Sequence, residues 1–543
     1  MPCSRKDRTR CLLTEGERND PFEHSRRGAI DHNVGRARLM STSANQPKEQ
    51  TMATVTRGPR SLGRLIVPAV SFVLAAGMAA QQPAELIIRD GLVVTAVGRA
   101  EGDVRIRNGT IAEIGRNLAA AAGARVIDAK GMLVLPGGVD PHVHLTPTPT
   151  ATTMKGADDY TTGSRTALAG GKTTIGNFIN QSATDDLKTT LTGATELVKK
   201  QAIADVILHF TASDPNKLNP SDVAMLYDRG FTLKIFLVRP AFDQNVASYV
   251  KLIRAAGAAG LLTMLHCEDA SIITTTQERM MAEGRGALKG QNFSESRPVV
   301  AEEVATQRAV AISEATGAPI YIVHISSERA MRAAEAGRVR GLPIFTEVRF
   351  LYLHLTKERF DEPDGAIYIG EPPLREKSDA NYLWSAIAGG AGDVVDTDHV
   401  GYTRSEKLDP SLNIINHRAA ANYLQVQLPL LYSEGVRTGR ITLERMVALS
   451  STNPAKLFGL YPRKGTIAVG SDGDVVIWDP NLKRTIRDED ELGNGKFSIF
   501  AGREVTGWPI ITIRRGEVVY QGGKILASAG SGQLAPRQHW QQP

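Results

Sequence analysis

The apolar positions of this chain change their period twice. Over residues 84–137 the stretches ELIIRDGLVVT, GDVRIRNGTIAEIG and ARVIDAKGMLVLPG alternate apolar with polar residues. Asp-Gly, Asn-Gly and Lys-Gly interrupt them, which predicts short strands joined by hairpin turns. The same pattern returns in GTIAVGSDGDVVIWDP (465–480) and PIITIRRGEVVYQGGKIL (509–526). Between these ends, short apolar runs alternate with helical stretches: TTIGNFI, ADVILHF, FTLKIFLV, GLLTMLHC, PIYIVHIS, LPIFTEV and DVVDTDH. Strand–helix alternation over about 320 residues predicts a parallel α/β barrel. The two β ends are expected to meet in one small sandwich that is discontinuous in sequence.

The organisation expected is a polar extension over 1–51, a signal peptide over 52–80, and the first part of the sandwich over 81–135. A barrel over 136–462, the second sandwich part over 463–527 and a tail over 528–543 follow. The signal rests on a 16-residue apolar run, LIVPAVSFVLAAGMAA (65–80), that follows Arg57, Arg60 and Arg64 and ends in small residues. It is short for a membrane span, which needs roughly 20 residues. Translation is expected to start at Met52, and the mature protein to be exported, periplasmic or secreted, with no membrane span left after cleavage. A retained membrane anchor or a cytoplasmic protein is the alternative. The Gly-, Gln- and Pro-rich tail is expected to act as an arm towards a neighbouring subunit.

Charge removes one class of function. The chain carries a formal net charge of +6, but residues 1–83 alone hold 13 Lys+Arg against 7 Asp+Glu, so the remainder is neutral. The folded body has no bias towards nucleic acid. Cys267 is the one cysteine beyond the leader, which excludes an internal disulfide there.

The candidate chemistry lies at the ends of the apolar runs. His142 and His144, two apart on a strand, project to one face. His266, His324 and Asp398 each close a further run, and Lys234 sits in FTLKIFL. Four histidines, a lysine and an aspartate, each expected to end a barrel strand, make a ligand set for two divalent cations, zinc first. A lysine charged in a barrel is costly to bury; deprotonated and carboxylated by CO₂ to N6-carboxylysine, it becomes an anionic bridge. His209, His354 and His417 read as structural, and His399 as a neighbour of the ligands. Gly171-Lys172-Thr173 is excluded as a phosphate loop because position 166 is Thr and a helical stretch precedes it. Gly170-Gly171 reads as a helix C-terminus.

Pro136-Gly-Gly-Val-Asp-Pro-His-Val-His144 resembles the opening motif of the amidohydrolase superfamily in its hydantoinase/dihydropyrimidinase branch. ALAGGKTT (167–174), LKIF around Lys234, LHCED around His266, RPVVAEEVATQRAV and STNPAKLFGLYPRKGTIAVGSDGDVVIWDP (451–480) resemble the same branch. The resemblance covers about residues 85–530. It implies a distorted (β/α)8 barrel with a small β-sandwich and a binuclear zinc site. His142, His144 and Asp398 would hold one metal, His266 and His324 the other, and carboxylated Lys234 both. It also implies a small cyclic amide as substrate, Asp398 as general base and then acid, and a homo-oligomer, tetrameric by analogy.

Three recognition elements depart from that pattern. Arg239 stands where the family carries an oxyanion-steadying tyrosine, and is expected to be catalytic, substrate-binding or both. Glu371 stands where a substrate-contacting serine is usual, and RAAANYLQVQ (418–427) replaces the family segment before LPLLYSEGV. Leu145, where dihydroorotases place an arginine, argues against that activity. The expected function is dihydropyrimidinase- or hydantoinase-like ring opening. The alternatives are hydrolysis of a different amide, linear ones included, or of a carbamoyl compound, and a non-catalytic interaction protein of the same fold.

Overall fold

The computed structural model of the protein describes residues 85–148 and 155–538. The 1–51 extension, the signal peptide and residues 539–543 of the tail lie outside the described residues. No helix among the described residues is long and apolar enough to cross a membrane.

Five strands open the chain: β1 (Glu85–Thr95), β2 (Gly98–Arg107), β3 (Thr110–Gly115), β4 (Arg125–Asp128) and β5 (Leu133–Pro136). Nine more form the barrel: β6 (Gly138–His144), β7 (Lys172–Asn180), β8 (Asp205–Thr211), β9 (Thr232–Phe236), β10 (Thr263–His266), β11 (Ile320–Ile322), β12 (Ile344–Arg349), β13 (Val394–Asp396) and β14 (His399–Val400). Four close the chain: β15 (Val475–Thr485), β16 (Glu504–Arg514), β17 (Glu517–Gln521) and β18 (Lys524–Ile525).

The two β ends join as expected. Their sheet runs β18-β17-β16-β15-β5-β1-β2-β3, with the seam at the antiparallel pair β5 and β15, where Val134 faces Ile477. Leu86, Ile88, Val104, Ile106, Val134, Val475, Ile477 and Ile513 fill its own core. Of the three expected hairpins only Asn108-Gly109 is one, with both residues at positive φ (50° and 79°), as a two-residue turn between right-twisted strands requires. Asp90-Gly91 is instead a bulge within β1: Asp90 takes φ 56° and its N–H donates to Asp103 Oδ1 at 3.0 Å, so the strand continues. Lys130-Gly131 connects β4 and β5, which both run parallel to β1 along successive stretches. A Gly dipeptide permits a reversal, and tertiary pairing decides whether the chain makes one.

In the barrel every neighbour is parallel, from β6 through β13, and β14 pairs back on β6. β13 and β14 are one strand split at Thr397-Asp398: the first half bonds to β12 and the second to β6. The eight-strand circuit closes only because of that split. Val206, Leu208, Leu233, Ile235 and Leu265 point outward into a core shared with helices such as Leu187–Gln201, Val246–Ala258 and Val299–Thr316. Ile207, Met264, Tyr321 and Phe458 fill the lower interior, leaving the upper end for polar groups.

The tail, expected to reach outward, runs back along its own barrel up to residue 538. Val206 N–H donates to Gln533 O at 2.9 Å and Ala535 N–H to Val206 O at 2.8 Å. β8 begins below the level where β9 pairs with it, so this edge is open to the tail.

Barrel and sheet are tied by a buried lysine. Lys464 Nζ lies 2.7 Å from Asp205 at the start of β8, 2.7 Å from Asp474 and 3.0 Å from Asp472. Three carboxylates within reach of one ion are therefore already served by the lysine. Replacing Lys464 by Met is expected to destabilise the protein by about 3–5 kcal/mol, since it strands buried charges. Chemical denaturation checks this, and a loss below about 1 kcal/mol would show that the cluster holds nothing together.

Candidate metal centre

β6 places the first candidate ligands. Asp140, His142 and His144 share its inner face by strand alternation, while Val143 faces the outer core. Lys234 differs from expectation: it is the middle residue of β9, with Leu233 and Ile235 packed outward. A lysine between two outward apolar residues must point into the barrel, and it is fully buried there. His266 is the last residue of β10. His324 follows β11 at φ 42°, and Asp398 lies in the split strand at φ 49°. Both adopt left-handed backbone that L residues rarely accept, a cost of about 1–3 kcal/mol each where function demands it.

These residues converge. His142 Nε2 and His144 Nε2 lie 3.2 and 3.1 Å from Asp398 Oδ1. His266 Nδ1 and His324 Nε2 are 2.8 Å apart. Lys234 Nζ sits 5.0 Å from the Phe178 ring and 4.9 Å from the Phe236 ring. Phe178 packs on His142 and His144 and Phe236 on His266, so the amine is bracketed between the two histidine pairs. It has no hydrogen-bond partner among the described residues. Burial pulls its pKa down to about 8, against the opposing charges of Glu347 and Asp398. Burial likewise lowers His144, His266 and His324, keeping the imidazoles neutral as ligation requires.

The supporting groups escaped the sequence reading. Glu347, on β12, takes His142 Nδ1 and the His324 N–H, each at 2.8 Å, so His142 presents Nε2. Glu268 takes His266 Nε2 at 2.8 Å and is itself gripped by Arg297 at 2.5 and 3.0 Å. The fully buried Arg349 reaches Asp398 Oδ2 at 3.3 Å. Burial opposes charge on Asp398, but Arg349, His142 and His144 hold its pKa well below the usual carboxylate range. Beneath, Asp396 is pushed well above that range by burial and by Glu347. Glu268 follows an apolar run two residues after His266, a signal the sequence carries, whereas Glu347 has no histidine near it in the chain. Nothing local distinguishes Arg349.

A cavity of about 370 Å³ opens over the histidines, with Phe178, Phe236, Tyr402, Arg239, Glu371 and Ala420 among its walls. Arg239 lies over the Phe236 ring at 4.3 Å. Glu371 pairs with Arg297 at 3.0 Å and with His417 at 2.8 Å, so His417, expected to be purely structural, orients a cavity carboxylate. His209 (to Pro141 O, 2.8 Å) and His354 (to Glu434, 2.7 Å) do hold structure. His399 bridges Asp158 at 3.0 Å and the Tyr423 N–H at 3.0 Å, one layer behind the ligands. The 418–427 segment supplies the wall at Ala419 and Ala420. Lys407 holds it by donating to Ile369 O, Arg418 O and Ala420 O at 2.7, 2.6 and 2.8 Å.

The family model for the amidohydrolase family matches residues 133–519. D-hydantoinase of Ralstonia pickettii is 33% identical over 465 residues, covering 84% of this chain and 100% of that protein. D-hydantoinase of Geobacillus stearothermophilus is 33% identical, over 83% of this chain and 96% of its own. The crystal structure of dihydropyrimidinase from Brevibacillus agri matches with TM-score 0.79 at 33% identity, over 84% of this chain and 100% of that one. L-hydantoinase (dihydropyrimidinase) from Arthrobacter aurescens matches with TM-score 0.75 at 27% identity, over 83% and 99%.

Glu347→Gln keeps the shape but returns an amide N–H towards groups that donate. Divalent metal affinity is expected to fall about 10–100-fold, as for other partners that orient a ligating imidazole. Competition with a chelator measures it, and unchanged affinity would remove Glu347 from the site.

Proposed function

The chain belongs to the amidohydrolase family, in its hydantoinase branch, and from that premise we propose that it hydrolyses a cyclic amide with two divalent cations. The observation that carries the reading is the buried amine of Lys234, without a hydrogen-bond partner among the described residues, between the two histidine pairs. A buried ammonium would be costly there, and an amine with a pKa of about 8 is largely available as a nucleophile in mildly alkaline solution. Its attack on CO₂ forms the C–N bond of a carbamate and releases one proton. The product is an anion suited to bridge two cations.

The donor set fits. His142 Nε2, His144 Nε2 and Asp398 would hold one cation, His266 Nδ1 and His324 Nε2 the other, and carboxylated Lys234 both. Neutral imidazole with carboxylate suits zinc. Such cations supply Lewis acidity, lowering the pKa of water and polarising an amide carbonyl. Asp398 accepts the proton of the attacking water and delivers it to the leaving nitrogen. Arg349 fixes its distal oxygen, so the carboxylate keeps one orientation through both transfers. Arg239 and Glu371 face the substrate from the cavity wall.

The rebuilt wall at 418–420 and the salt-bridged Glu371 favour a second reading, a linear amide or carbamoyl compound, at the same centre. Export through the 65–80 segment and assembly into a homo-oligomer, tetrameric by family likeness, complete the reading from the sequence.

Zinc-loaded protein is expected to open hydantoin, dihydrouracil or 5-substituted hydantoins. Lys234→Ala should lose turnover by at least about a thousandfold and recover part of it with a short carboxylic acid. Asp398→Asn should lose far more activity than metal. Turnover of linear amides alone would favour the second reading, and equal loss of metal and activity in Asp398→Asn would undo its role in proton transfer.

A further inference from the structure

Two charged side chains stand on the cavity wall beside the ligands, and only one is already neutralised. Glu371 is balanced by Arg297 and His417. Arg239 has no carboxylate partner among the described residues. Its guanidinium rests on the Phe236 ring, and its one hydrogen bond, long at 3.5 Å, goes to Ser213 Oγ. Of the five N–H groups a guanidinium offers, most therefore remain unspent at a wall of the cavity. The ring holds the planar fork in place, so little side-chain freedom is lost when an anion binds. The neighbouring wall adds to the positive field. Arg418, next to the lining residues Ala419 and Ala420, keeps a buried Nε with no acceptor, and its charge acts on Tyr402, another lining residue.

We propose that the substrate is a cyclic amide whose ring substituent carries a carboxylate, and that Arg239 binds that carboxylate and selects for it. This rests on the cyclic-amide reading above. The geometry also gives the substituent a direction, because Arg297 and His417 on the Glu371 side are already spent on that carboxylate and leave Arg239 as the receiving group. A planar, bidentate contact is what a guanidinium makes with a carboxylate. In the reaction, water adds across the ring C–N bond: a C–O bond forms, the nitrogen leaves protonated, and the product carries two carboxylates and a carbamoyl group.

The test pairs hydantoin-5-acetate with its neutral near-isostere hydantoin-5-acetamide, and measures kcat/KM for both and calorimetric binding of both ring-opened products. The parent enzyme is expected to prefer the carboxylate by about tenfold or more, chiefly through KM, as one charge-assisted contact in a half-open site would give. Arg239→Gln should bring the ratio close to one, and Arg239→Glu should invert it. A parent ratio near one, or a preference that survives Arg239→Gln, would overturn the proposal. If neither ring opens, the cyclic-amide reading falls, and product binding still decides Arg239. About tenfold tighter binding of the dicarboxylate that disappears in Arg239→Gln supports its role, and equal binding of the two products overturns it.

Discussion

A lysine amine buried inside a barrel with no acceptor among the described residues is a demand that the surrounding structure must answer. Burying a charged ammonium is costly, so the site draws the amine towards its neutral form. Burial lowers Lys234, and the aromatic rings of Phe178 and Phe236 take the positions where carboxylates would otherwise have balanced it. The carboxylates stand one layer back: Glu347 on His142, Glu268 on His266. They fix the imidazoles without satisfying the amine. Under the proposed reading, a CO₂-derived carbamate on Lys234 would complete this enclosed group.

Closing the barrel places the remaining ligand. Eight strands form a circuit only if the last one bonds to both β12 and β6, and it does so in two halves. Between them the chain takes φ 49° at Asp398, which turns the carboxylate from the strand plane towards His142 and His144. Arg349, from the adjacent strand, braces the same joint through the Thr397 and Asp398 carbonyls as well as the carboxylate. Barrel closure and the placement of the Asp398 carboxylate are thus one structural feature. His324 repeats the device at φ 42°, with its N–H held by Glu347. Strain is kept where two ligands must leave the regular direction of their strands.

What could be read from the sequence follows from which properties are local. Strand alternation put His142 and His144 on one face, and apolar runs located His266, His324 and Asp398, because period and run length are properties of the chain itself. Lys234 was placed at a strand end, whereas it is central in β9; a polar residue inside an apolar run reads as a terminus until the barrel supplies an inner face. Asp90-Gly91 and Lys130-Gly131 read as hairpins, and pairing with β2 and β1 made them a bulge and a connection. Glu347 and Arg349 act through contacts far apart in the chain, whereas Glu268 sits two residues from the imidazole it holds. No local pattern reveals that Glu371 will meet Arg297 and His417, some 74 and 46 positions away by their numbers.

The site therefore divides into two layers that answer to different constraints. The lower one holds the ligands, Glu347, Glu268 and Arg349, all packed so that a small shift would break several charged contacts together. The upper one is made from Arg239, Glu371 and the 418–420 wall, and it hangs on fewer attachments. Lys407 gathers three backbone carbonyls from the 369 and 418–420 segments with its buried Nζ, which joins the two loops without prescribing the side chains they display. Residues on those loops can change while the backbone path stays anchored and the centre below is undisturbed. A chain can in this way keep the chemistry of its relatives, at about a third identity, and differ from them at the groups that meet the substrate. Under the proposed reading the charge of Arg239 and the neutralised state of Glu371, both on the cavity wall, would decide which cyclic amide reaches the centre.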